Sequence, residues 1–181
     1  LDELQKIMKS PAHLLRRMDA DGIDRAVLVN YPSPDLMGFT HRVNEYVAQY
    51  CEAAPDRLVP MGGVHPRFTE DAAAEVRRAA DMGVRALKVH PPHMAFEPNA
   101  YLHGLDALRD LYAEAQRLKL PVMIHTGTSI FPGARSRTGE PMAVDDVAVD
   151  FPDLRIVIAH GGRPLWMEQA FFLVRRFPNV F

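Results

Sequence analysis

Four histidines occupy matching places in the chain: His65 in "GVHP", His90 in "KVHP", His125 in "MIHTG" and His160 in "IAHGG". Each follows a short apolar run, and together they are half of the eight histidines in 181 residues, a placement that scatter rarely produces. A lone histidine at a strand end is usually structural or solvated. Several converging neutral imidazoles are instead good ligands for zinc and related divalent ions, and a metal that keeps one position open lowers the pKa of its bound water toward about 7. His125 and His160 are the stronger metal candidates, because glycine-containing loops follow both and let backbone approach a ligand. His65 and His90 precede prolines, and a polar contact that closes the strand-to-loop turn competes with any role at the site.

Lys88 stands two residues before His90, so a strand places both side chains on one face. Its amine either reaches a carboxylate or carbonyls at the rim, lies on the face turned away from the site, contacts a substrate carboxylate, or bridges metals once carbamylated. Arg135 and Arg137 follow the "MIHTG" run in a loop; a guanidinium matches a carboxylate bidentately, and solvated loop positions are the simpler alternative. In "GGRPLW", Arg163 and Trp166 lie just beyond His160, and Trp166 either packs or lines a pocket for an aromatic substrate. The candidate substrate contacts are therefore Lys88, His90, Arg135, Arg163 and Trp166. Asp145 and Asp146 fall at the start of a helix, where carboxylates favour the helix dipole, and are assigned a structural role.

These side chains need elements to hold them. Apolar, β-branched runs at 25–30, 57–64, 84–89, 121–125 and 155–160, with an incipient one at 179–181, alternate with helical periodicity near 41–53, 70–82, 104–119, 142–150 and 165–176, after a further helix before the first strand. Thr69, Glu70 and Asp71 can cap a helix start. Starts about 25 to 37 residues apart, with strands apolar on both faces, imply a parallel sheet under crossover helices. Both an open doubly wound sheet and a closed (β/α)8 TIM-type barrel fit. The missing Gly-x-Gly-x-x-Gly after the first strand favours the barrel, whose strands present their carboxyl ends on one rim. The helical stripe "WMEQAFFLVRRF" is expected to face the core.

Composition narrows the class. At 48% hydrophobic and 24% charged the chain can bury a core as one domain, residues 1–181. A net charge of −2 supplies no basic field for nucleic acid or an anionic membrane. Cys51 is the single cysteine, which suits a reducing, cytoplasmic setting and excludes a thiolate cage. Exposed helices of an outer ring would make a homodimer unsurprising.

"ALKVHPP", "PVMIHTGTS" and "DFPDLRIVIAHGG", in this order and spacing, resemble the amidohydrolase superfamily, in its amidohydrolase-related branch of aminocarboxymuconate semialdehyde decarboxylase and related metal-dependent hydrolases. The resemblance implies a distorted (β/α)8 barrel in which this chain supplies strands two to six and the start of the seventh. It implies that His125 ligates a metal and that His160 ligates a second metal or positions metal-bound water. Such barrels also carry a His-x-His pair on the first strand and an aspartate on the eighth; this sequence has no His-x-His, and truncation at both ends is expected. Hydrolysis of a small carbonyl-containing or anionic substrate leads, with zinc the first choice of metal and manganese or iron as alternatives. Nonoxidative decarboxylation of a keto or aromatic acid is the rival, and a catalytically inactive binding module is the reading from another class.

Overall fold

The computed structural model describes residues 2–181. Helices α1 (Asp2–Lys9) and α2 (Pro11–Ala20) precede strand β1 (Ala26–Val29), followed by the one-turn α3 (Pro34–Met37), α4 (Arg42–Cys51) and β2 (Leu58–Gly62). Then come α5 (Ala72–Asp81), β3 (Ala86–Val89), α6 (Pro91–Met94), α7 (Asp106–Arg117), β4 (Val122–His125), α8 (Ala143–Asp150), β5 (Ile156–Ala159) and α9 (Met167–Arg176). Single 3-10 turns stand at Ala100–His103, Ser136–Gly139 and His160–Gly162.

The five strands are parallel and lie in the order β1-β2-β3-β4-β5. A doubly wound sheet reverses its strand order at a switch point, and no reversal occurs here. Each strand sits beside its predecessor, and the sheet curls as part of a barrel wall, the architecture expected of the sequence. The register aligns Leu87 with Val122 and Ile124 with Ile158, so the carboxyl ends of β3, β4 and β5 reach one edge together.

Burial explains the elements. All four residues of β3 are buried, Lys88 included, as a strand covered on both faces requires. In α5, Ala72, Val76 and Ala79 recur at helical spacing and are buried, and the Asp71 carboxylate caps the start by accepting from the Ala74 amide at 2.8 Å. Helix α7 buries Leu108, Leu111, Tyr112 and Ala115, which join Val122, Ile124 and Ile156 in one core. Asn44, fully buried on α4, exchanges two 2.9 Å hydrogen bonds with the Gly63 backbone and locks α4 to the end of β2.

Several features differ from the sequence reading, beginning with two helices before β1, α1 and α2, where one was expected. The α9 stripe does not face the core as a whole: Ala170 and Leu173 are buried, whereas Phe171, Phe172 and Val174 are 64%, 45% and 44% exposed. Its apolar residues ring the helix, and only one side meets the sheet. The incipient seventh strand is a single parallel bridge, Ile156 to Val180, backed by hydrogen bonds from the Ile156 amide to Asn179 and from the Phe181 amide to Ile156. The stretch 90–103, between the apolar run at 84–89 and the helical periodicity at 104–119, holds α6 and a 3-10 turn, since Pro91 and Pro92 suit the first turn of a helix.

Candidate active site at the strand ends

His90 directly follows β3, His125 ends β4 and His160 directly follows β5, so topology brings three of the four sequence-picked histidines to one rim. The His90 and His125 rings stack at 3.9 Å between centroids, 18° from parallel, and His160 meets His125 edge-on at 4.8 Å. His93, one turn into α6, stacks on the other face of the column with 3.7 Å to His90, and Tyr31 lies against His90 at 5.1 Å. His93 and Tyr31 were missed in the sequence. The signal was there in "HPPH": read as a helix start, its two histidines fall on one turn.

His65 does not join them. It lies past the end of β2, its ring edge-on to Phe68 and Phe96, with Nδ1 accepting from the Arg67 amide at 3.3 Å. Its own amide donates to His41 Nε2 at 2.9 Å. This is the turn-closing contact expected of it. His90 closes no turn: it is 6% exposed, and its Nδ1 has no hydrogen-bond partner.

His125 Nε2 lies 3.3 Å from the Thr128 carbonyl. A carbonyl only accepts, so Nε2 carries the proton and the lone pair of the neutral ring is on Nδ1. Burial and then the Lys88 charge press the His125 pKa down to about 4. His90 is lowered further by burial and by His125, and His93 and His160 are lowered by burial first and by Lys88 next. Near neutral pH the whole column is uncharged, as metal ligands must be.

Lys88 resolves differently from its bland readings. It is 4% exposed, yet its Nζ makes no hydrogen bond or ion pair among the described residues. Two residues before His90, it shares that residue's strand face, and its charge helps to lower His90, His93, His125 and His160. Burial lowers its pKa to about 8, leaving it an ammonium at neutral pH with no counter-charge.

The loops are tied across the rim. Thr126 Oγ1 donates to Ala159 O at 2.9 Å and accepts from the Gly162 amide at 3.0 Å, and the Thr128 amide donates to Arg163 O. Gly127 has φ +108°, and a Cβ there would stand 2.3 Å from Arg163 O, so only glycine lets the two loops touch. His160 takes φ +69° without being glycine, an uncommon strain that aims its ring. Arg135 and Arg163 are exposed and Trp166 half-buried on these loops, and the Arg163 charge adds to the lowering of the His160 pKa. Asp145 pairs with Arg176 at 3.4 Å and Asp146 accepts from Asn99 at 2.7 Å, so both serve structure, as expected.

The donor chemistry fits a divalent cation in part. Among the described residues no three histidine, cysteine or carboxylate side chains converge on one point. His125 Nδ1 and the adjoining His160 ring supply two imidazole donors, and a catalytic zinc-type centre takes about three.

The family model described as Amidohydrolase matches residues 5–181. An uncharacterised TIM-barrel protein from Bordetella bronchiseptica is similar at 27% identity and TM-score 0.76, over 96% of this chain and 58% of that one. A 5-carboxyvanillate decarboxylase from Novosphingobium aromaticivorans, complexed with manganese and 4-hydroxy-3-methoxy-5-nitrobenzoic acid, shares 21% identity at TM-score 0.59, over 91% and 55%. A 2,6-dihydroxybenzoate decarboxylase from Rhizobium shares 22% at TM-score 0.57, over 83% and 56%. The chain thus spans under three-fifths of the structures it resembles. No curated protein matches its sequence. No described helix is long and apolar enough to cross a membrane.

Proposed function

We propose, on the premise that the chain belongs to the amidohydrolase family, that its rim serves a metal-dependent nonoxidative decarboxylase of small aromatic or keto acids. The observation that carries this is Lys88: a lysine only 4% exposed beside neutral imidazoles, whose ammonium keeps contact with solvent and has no anion of its own among the described residues. A buried charge without a partner is costly, and a substrate carboxylate supplies the partner. Hydrolysis of a small carbonyl-containing or anionic substrate, which the motifs first suggest, pairs Lys88 only where that substrate is an anion, whereas every substrate of a decarboxylase brings the carboxylate. The aromatic acids named for the two similar decarboxylases carry such a carboxylate.

His125 through Nδ1 would hold the divalent ion, which supplies Lewis-acid polarisation of a substrate oxygen when bound. The manganese of the similar decarboxylase makes manganese as good a candidate as zinc. Lys88 seats the carboxylate, and His90 Nδ1, buried without a partner two residues along the same strand face, is a second polar atom on that side. That ion pair forms in the ground state, so it lowers KM more than it raises kcat. His160, exposed on the open side of the column, is the group placed to relay a proton from solvent water to the carbon that loses its carboxylate. Arg135, Arg163 and Trp166 border the opening and suit the far end of a substrate. The free thiol of buried Cys51 accords with a reducing, cytoplasmic setting.

The test uses the intact protein reconstituted with manganese, zinc or iron and offered aromatic acids, keto acids, esters and amides. Release of carbon dioxide is the expected result; ester or amide hydrolysis without it overturns the proposal. His125→Ala should lose the metal. His160→Ala should keep at least one metal ion and lose at least about 100-fold in kcat.

A further inference from the structure

Both ring nitrogens of His93 are taken. Nδ1 is 2.9 Å from Tyr31 Oη and Nε2 is 2.9 Å from Ser129 Oγ, and either neutral tautomer satisfies both because each partner is a hydroxyl. The backbone is held too, since Ser33 Oγ donates to the His93 carbonyl at 3.1 Å. Phe131 closes edge-on over the ring at 4.9 Å. These partners come from the segments after β1 and after β4, while His93 itself follows β3. A ring clasped this way has no freedom to rotate and no nitrogen left for a substrate or metal.

Its position explains why it is held. One face of His93 supports His90, which in turn supports His125, in a column of near-parallel rings. By a second route, the hydrogen bond to Ser129 fixes the residue next to Thr128, whose carbonyl sets the His125 tautomer. The Ser129 amide donates to Ser136 Oγ at 3.1 Å, which stiffens the same segment. Two independent paths from one imidazole therefore end on the plane and the protonation of another.

We propose that His93 is a positioning residue for the metal centre: clasped by Tyr31 and Ser129, it sets the ring plane of His125 through His90 and its Nε2–H tautomer through Thr128. This rests on the proposed role of His125 as a ligand, and extends it to groups that touch neither metal nor substrate. Outer groups that orient a ligating histidine are typically worth about 10- to 100-fold in metal affinity.

Two variants test it in the intact protein. His93→Ala removes ring and clasp; the double variant Tyr31→Phe/Ser129→Ala keeps the imidazole and removes only the hydroxyls, and stands in if the first fails to fold. Long-range 1H–15N correlation spectra of the metal-free protein read the His125 tautomer, and titration with manganese reads Kd. The wild type should show His125 protonated on Nε2 alone, with mixed tautomers in both variants and Kd raised about 10- to 100-fold. A wild-type tautomer and a Kd within twofold in both variants overturn the proposal. So does a change confined to His93→Ala, because the ring would then act without being held. If the wild type binds neither manganese, zinc nor iron, the decarboxylase reading fails, while the tautomer comparison still decides the role of His93.

Discussion

A lysine almost wholly buried beside imidazoles with no anion is a liability that a ligand relieves, and this makes Lys88 the most testable single residue. Lys88→Met matches its volume without the charge; replacing buried charge by apolar atoms is often stabilising by about 1–3 kcal/mol. The variant should therefore melt at a higher temperature in the absence of substrate, and should raise KM for acids by tenfold or more while changing kcat little. Because Lys88 loses its proton near pH 8, carboxylate capture should be full below that pH. KM should climb as pH passes through it, as a pH series would reveal. His160→Gly should relieve the left-handed strain and gain about 1 kcal/mol in thermal stability while abolishing turnover. The sequence displayed His90, His125, His160 and Lys88 because their spacing from strand ends is regular. It hid His93 and Tyr31, which reach the site from a one-turn helix and a loop whose directions no periodicity encodes.

Short elements and tied loops aim these side chains, and the ties are exact enough to break. Gly127→Ala meets both a positive φ and the Arg163 carbonyl, so we expect a loss of about 2 kcal/mol or more, measured by denaturant unfolding. Its metal affinity should fall too, since Thr128 and Ser129 lie just beyond. The side-chain amide of Asn179 lies within 3.1–3.4 Å of the carbonyls of Ala148, Phe151 and Leu154, joining the end of α8 to the last bridge of the sheet. Strand order and helix bounds were legible in the sequence to within a few residues, since burial on both faces writes itself as uninterrupted apolar runs. The outward face of α9 was not. A stripe of Phe, Leu and Val looks the same whether a neighbour covers one side or both, and only the position of the helix at the end of the sheet separates the two.

Across the whole molecule the neutral histidines couple the fold to acid. His65 and His125 are held near pH 4, whereas unfolded histidines bind a proton near about 6.5, so between those values the unfolded chain holds more protons. Their contribution is complete above pH 6.5 and fades as pH falls through 4, each group steepening the loss by up to about 1.4 kcal/mol per pH unit. His90, lowered further still, extends the decline. Unfolding of the metal-free protein monitored from pH 7 to 4 should show this slope, and the variant His65→Gln should flatten it without touching the rim. The unbroken order of the sheet reaches further than the site. Every strand lies beside the one made just before it, so a chain leaving the ribosome finds a finished edge waiting for each new strand, and the wall is laid course by course in the direction of synthesis.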